Sequence, residues 1–131
     1  QFRAPYYDLS KIRAEKGFSR EDILYILDLI AETGQNVIIE GELNTGADRD
    51  EIKKLLHDKG YNPSLIWIQT DVNTIKSRLK SRLKSVAKAK EEYDTKIAEL
   101  EAPAETEDTI VLSGKHTFET QLSNTLSQLA N

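Results

Sequence analysis

The 131-residue chain contains no cysteine, so it can form neither a disulfide framework nor a thiolate metal site. It also lacks any run of about 18 apolar residues, which excludes a membrane-spanning helix and argues against a membrane partner. The opening stretch, QFRAPYYDLS, has no apolar core of the kind found in secretory signals. These absences together predict a cytoplasmic protein. The two histidines, His57 and His116, are too far apart in sequence to indicate a metal site.

Methionine is absent as well, so the sequence does not begin at an initiator residue. We therefore expect natural sequence upstream of Gln1 to be missing. A chain of 131 residues fits one domain and can bury a real core. The prediction is a single domain over residues 1–131 that is incomplete at its N-terminus.

The charge distribution is strongly uneven. The net charge of −4 argues against a general nucleic-acid binder. From Lys76 to Lys90, however, there are seven cations and no acid, and the stretch from Glu91 to Asp108 is acidic apart from Lys96. A local basic segment of this kind can hold phosphate even on an acidic protein.

Four short apolar segments read as β-strands because they are rich in β-branched and aromatic residues. The first is the weakest, since Pro5 interrupts it. Apolar residues follow one another in these segments instead of alternating, which predicts burial on both faces. The predicted strands are Phe2–Tyr7, Asn36–Glu40, Ser64–Thr70 and Thr109–Leu112.

Helical patterns separate these strands. Ser19 and Asp22 form a capping-box pattern that opens the first helix, and Gly60 is placed to end the second, which runs from about residue 47 to 59. The segment 71–101 fits one long helix or a helical hairpin, and a last helix covers roughly 117–129. Alternating strands and helices predict a three-layer α/β/α fold with a mainly parallel sheet.

Polar residues follow each predicted strand, where open α/β sheets bind their ligands. Asp8 follows the first strand and Glu40 ends the second, so two carboxylates could contact a magnesium ion through water or accept a proton. For Glu40, this role and a plain turn or capping role stay open. For Thr70 and Asp71, helix capping is the favoured interpretation.

Arg78 and Arg82 are spaced to project from one face of a helix. Guanidinium groups match phosphate oxygens and can stabilise charge on a transferred phosphoryl group. The alternative is an ordinary solvated basic face.

Four short motifs follow one another along the chain: YDLSKIR at 7–13, VIIE at 37–40 followed by Asn44 and Arg49, RLKSR at 78–82, and EAP at 101–103. Over nearly the whole chain this order resembles the small-molecule and polynucleotide P-loop kinases of the zeta-toxin-like group. The resemblance implies a P-loop NTPase fold of the nucleotide-kinase type. It also implies phosphoryl transfer from ATP, with Mg²⁺, to a hydroxyl of a small-molecule or polynucleotide acceptor.

The resemblance further implies residue roles. Asp8 would be the base, Glu40 would lie at the metal and phosphate end of the sheet, and Arg78 and Arg82 would serve a lid within 71–101. Four more residues would bind the acceptor: Lys11, Arg13, Asn44 and Arg49.

Three features depart from the family pattern. Ser10 precedes K-I-R where an aspartate is usual, Glu40 stands in place of Asp, and no G-x-x-x-x-G-K-[ST] motif occurs. Without that phosphate cradle, the chain as given is expected to be inactive. The favoured explanation is a first strand and P-loop lying upstream. The alternative is a non-catalytic adaptor that binds a partner protein through its charged helical segment, with a partner chain completing the sheet.

Overall fold

The computed structural model describes residues 3–130, which form short parallel strands alternating with helices. By contacts the chain divides into two compact units, an N-terminal unit ending at Pro63 and a C-terminal unit beginning at Ser64. Phe2, in the first predicted strand, lies outside the described residues. In chain order the elements are β1 (Tyr6–Asp8), α1 (Leu9–Lys16), α2 (Arg20–Glu32), β2 (Ile38–Glu40), α3 (Gly46–Asp58), β3 (Leu65–Gln69), α4 (Val72–Leu83), α5 (Val86–Glu99), β4 (Thr109–Ser113) and α6 (Phe118–Leu129).

In the N-terminal unit, β1 and β2 pair in parallel, as the strand–helix alternation predicts. Their register sets Tyr6 opposite Ile38, and Asp8 opposite Glu40. Buried apolar side chains from α1, α2 and α3 form the core of this unit. They are Leu9, Ile23, Leu27, Ala31, Ile52 and Leu56.

Capping boxes fix the starts of α2 and α3. At α2, the Ser19 side chain accepts the Asp22 amide and the Asp22 side chain accepts the Ser19 amide, as the sequence predicts. Thr45 and Asp48 make the same reciprocal pair at α3. Each box satisfies two amide groups that would otherwise lack helical partners, so both helices begin at defined residues.

In the C-terminal unit, β3 and β4 pair in parallel over five residues, with Trp67 opposite Val111. Segment 71–101 is a hairpin of two helices. Lys84 ends α4 in a left-handed conformation (φ 57°), its amide donates to the Lys80 carbonyl at 2.8 Å, and Ser85 caps α5. The ammonium of Lys76 lies 4.9 Å from the centre of the Tyr93 ring, which ties the two helices together.

The prediction that the strands are buried on both faces is wrong. Ile68 is 58% exposed and Val111 is 51% exposed. Within β3, half-buried Leu65 and Trp67 alternate with exposed Ile66 and Ile68. This alternation reflects the pleat of a strand with one covered face, which a continuous apolar run does not reveal. None of the described helices has both the length and the apolar character needed to cross a bilayer.

Candidate active site

Asp8 and Glu40 are the last residues of two neighbouring parallel strands and lie opposite each other in register. Asp8 Oδ1 accepts the Lys11 amide at 3.0 Å and caps α1. The other carboxylate oxygen of Asp8 makes no hydrogen bond with the described part of the chain. Asp8 therefore combines a fixed orientation with one oxygen that can accept a proton.

Tyr6 belongs to the same rim. It stands two residues before Asp8, so both side chains lie on one face of β1, and its hydroxyl donates to Glu40 Oε2. This hydrogen bond is the main cause that raises the pKa of Tyr6 to about 12, with smaller contributions from desolvation and the charges of Glu40 and Asp8. The phenol is therefore protonated, and remains a donor, at neutral pH.

The turn after β2 brings the chain onto the start of α1. Gly41 (φ +85°) and Glu42 (φ 61°) both have left-handed backbones, a conformation that favours glycine. Ser10 Oγ accepts the Glu42 amide at 3.0 Å. Ser10, the residue that departs from the family pattern, thus holds this turn in place.

Glu42 sits at the centre of an ion-pair network. Its carboxylate lies 3.0 Å from Arg13 and 3.2 Å from Arg20, and its side chain is only 10% exposed. Arg20 also approaches Asp48 at 3.4 Å and Glu51 at 3.0 Å. Sequence reasoning missed Arg20, because its partners are distant along the chain and no spacing rule links them.

The predicted acceptor-binding residues have different environments. Arg49 is only 2% exposed, and its guanidinium donates to the carbonyls of Leu43 (3.0 Å) and Asn44 (3.3 Å). Arg49 therefore holds the loop that carries exposed Asn44. Lys11 is exposed, 3.9 Å from Glu15. Arg13 has an exposed portion and is oriented by bonds to Glu42 and the Phe18 carbonyl. The structure thus brings six predicted residues into the N-terminal unit: Asp8, Lys11, Arg13, Glu40, Asn44 and Arg49.

Arg78 and Arg82 lie on α4 in the C-terminal unit. Arg78 donates to the Gly114 carbonyl at 3.0 Å, and Arg82 pairs with Glu92 of α5. Asp71 caps α4 by accepting the Thr74 amide at 2.9 Å, in line with the favoured interpretation of its sequence position. Lys115, 2.8 Å from Asp71, is the main cause that holds the pKa of Asp71 well below its usual range, and Thr74 adds to it.

Among residues 3–130, no group of three or more histidine, cysteine or acidic side chains is placed to hold a metal ion. Magnesium in nucleotide-dependent enzymes needs only one or two protein carboxylates when substrate phosphates complete its shell. The paired carboxylates of Asp8 and Glu40 fit that requirement. The 131 residues contain no Walker A motif for the nucleotide phosphates.

Comparisons with known proteins also indicate a kinase-like protein. The Zeta toxin family model matches residues 17–120, a span that includes Glu40, Asn44, Arg49, Arg78 and Arg82. No curated protein matches significantly in sequence. Among solved structures, a gluconokinase from Sinorhizobium meliloti 1021 is similar, with a TM-score of 0.68 and 12% identity over 97% of this chain and 77% of that chain. This likeness confirms an α/β fold of the P-loop kinase type.

Proposed function

The chain belongs to the zeta-toxin family of P-loop kinase-like proteins, and from this premise we propose that it carries the acceptor side of an ATP-dependent phosphotransferase. The reaction moves the γ-phosphoryl group of ATP to a substrate hydroxyl. The observation that carries the proposal is the pairing of Asp8 with Glu40 at the carboxyl ends of β1 and β2. Parallel α/β sheets bind their ligands at that edge.

Asp8 is the proposed general base. The Asp8 oxygen that does not cap α1 would accept the proton of the acceptor hydroxyl, while the hydroxyl oxygen bonds to the γ-phosphorus and the bond between that phosphorus and ADP breaks. The Lys11 amide holds the carboxylate in place during this step. A fixed base of this kind lowers the barrier by orientation as well as by proton transfer.

Glu40 would orient the acceptor or hold a metal-bound water beside Asp8. When bound there, Mg²⁺ would neutralise charge on the phosphate oxygens. The side chain of Glu40 is one methylene longer than the aspartate usual in the family, and its carboxylate accepts the hydrogen bond from Tyr6. A neighbouring residue on the same sheet therefore positions the Glu40 carboxylate.

Arg78 and Arg82 would stabilise charge on the transferred phosphoryl group from the α4–α5 hairpin. Both make exposed contacts, Arg78 with the Gly114 carbonyl and Arg82 with Glu92. Exposed contacts of this kind contribute little to stability, on the order of 0–1 kcal/mol. Both arginines can therefore exchange their present contacts for phosphate at small cost.

The 131 residues contain no Walker A motif, so the proposed reaction requires other residues to bind the ATP phosphates. The test of the proposal is to incubate the full-length gene product with Mg²⁺, γ-labelled ATP and three acceptor classes: sugars, nucleosides, and oligonucleotides with a free 5′ hydroxyl. We expect label transfer to one class. If no class is labelled although the protein binds ATP, the phosphotransferase proposal fails and the adaptor alternative takes its place.

A further inference from the structure

Tyr6 occupies the rim that carries Asp8 and Glu40, although none of the recognisable motifs includes it. It shares a face of β1 with Asp8, and Asp8 faces Glu40 across the sheet. The Tyr6 hydroxyl donates to Glu40 Oε2, and its ring is exposed. Tyr6 thus reaches diagonally across the two strands to one of the two carboxylates.

The two carboxylates would repel each other without compensating donors. Adjacent strands are about 4.8 Å apart, so register partners bring like charges close together. Asp8 has the Lys11 amide as its donor. Glu40 is exposed and has three rotatable side-chain bonds, and the Tyr6 hydroxyl is the donor that restrains it among the described residues.

We propose that Tyr6 is a positioning residue, whose hydroxyl holds the Glu40 carboxylate at the carboxyl edge of the β1–β2 pair beside Asp8. The catalytic consequence rests on the proposed function. The contact itself does not, because it can be measured without turnover. A tyrosine of ordinary pKa, about 10, already keeps its proton in the pH range in which kinases are assayed. The hydrogen bond to Glu40 is the main cause that raises the pKa of Tyr6 to about 12, so the hydroxyl remains a donor there.

Tyr7 offers a matched control. Its ring packs against the apolar core, on the other face of β1. Its hydroxyl makes no hydrogen bond with the described residues. Tyr6→Phe and Tyr7→Phe each remove one hydroxyl from neighbouring residues and keep the ring, so only the first removes the contact with Glu40.

The contact is tested by NMR of protein with ¹³Cζ-labelled tyrosine. The Tyr6 resonance is identified by its loss in Tyr6→Phe. In the wild type we expect it to keep its protonated shift up to about pH 11, and in Glu40→Gln to titrate nearer the ordinary tyrosine value of about 10. If the wild-type resonance titrates in the same way as in Glu40→Gln, the contact does not exist and the inference fails while the proposed function stands.

The positioning role is tested by turnover of the full-length protein. We expect Tyr6→Phe to lower kcat by about 10- to 100-fold, as misplacement of a reacting group does, and Tyr7→Phe to leave kcat unchanged. Equal kcat in the two variants would overturn the positioning role even if NMR shows the contact. If wild-type protein transfers no phosphoryl group, the proposed function fails and the positioning role fails with it.

Discussion

Gly41 lies directly against Ser10: a Cβ atom on residue 41 would be 2.5 Å from Ser10 Oγ and 2.7 Å from its amide nitrogen. Gly41 also has a left-handed backbone, with φ +85°. We predict that Gly41→Ala lowers the free energy of unfolding by about 2–5 kcal/mol, because left-handed strain costs roughly 1–2 kcal/mol and overpacking about 1–3 kcal/mol. Urea denaturation measures the loss.

Gly60→Ala is the control for this substitution. Gly60 has a similar backbone angle (φ +88°), but nothing lies within 4 Å of the position that a Cβ would occupy. Only the strain of roughly 1–2 kcal/mol should appear there. Equal losses at the two positions would show that Gly41 makes no close approach to Ser10.

The Arg20–Glu42 pair should contribute measurably to stability, because the Glu42 side chain is nearly buried and Arg20 is only partly exposed. A double-mutant cycle with Arg20→Gln and Glu42→Gln should give a coupling energy of about 1–3 kcal/mol. The Lys11–Glu15 pair, with side chains 68% and 61% exposed, is the contrast. Its cycle should give less than about 0.5 kcal/mol. If the coupling energy of Arg20 and Glu42 is no larger than that of Lys11 and Glu15, the Arg20–Glu42 ion pair does not stabilise the fold as predicted.

Asp71 should make stability depend on acid pH. Its pKa is lowered in the folded state, chiefly by Lys115, so its stabilising effect is complete above the unfolded value of about 4 and is lost as pH falls below it. Asp71→Asn keeps a helix cap but removes this effect. We expect the stability difference between wild type and Asp71→Asn to shrink from about pH 5 downward. A stability difference that stays constant with pH would contradict the ion pair between Asp71 and Lys115. Lys115→Gln removes the other partner of that pair, so its unfolding free energy should also depend less on pH than that of the wild type.

Arg82→Ala should lower turnover much more than it lowers stability. Arg82 is exposed and its pair with Glu92 contributes little to folding, whereas an arginine that stabilises transferred phosphoryl is worth on the order of 10³-fold in rate. Lys88→Ala, on α5 of the same hairpin, removes an exposed cation as control. Equal turnover in the two variants would show that Arg82 does not stabilise the transferred phosphoryl group.

The sequence predicts the elements whose signals are local. The Ser19–Asp22 capping box and the apolar strands are confirmed, because hydrogen bonding within three residues and β-branched composition act along the chain. The Thr45–Asp48 box has the same spacing and could have been found in the same way. Helix α1 could not, because Leu9 and Ile12 are its only large apolar residues and give no amphipathic stripe.

Features that depend on distant contacts escape sequence reasoning. The turn between α4 and α5 depends on a left-handed backbone at Lys84. Glycine is the residue that usually indicates this conformation, so a lysine at this position gives no signal in the sequence. Arg49 resembles a ligand-binding residue by motif, yet its burial and its bonds to loop carbonyls appear only in the fold. The pairing of Asp8 with Glu40 was expected in general terms, because parallel strands end at the same edge. The reach of Tyr6 to Glu40 follows from a register that the sequence does not specify.

The most direct test of the account is the turnover of Asp8→Asn in the full-length protein, with the acceptor that becomes labelled. Asparagine keeps the cap on α1 but cannot accept the hydroxyl proton, so we expect kcat to fall by about 10²–10⁴-fold with unchanged thermal stability. Asp22→Asn, which changes an acid in the α2 capping box, should keep full turnover. Wild-type kcat in Asp8→Asn would contradict the assignment of the β1–β2 edge as the site of phosphoryl transfer.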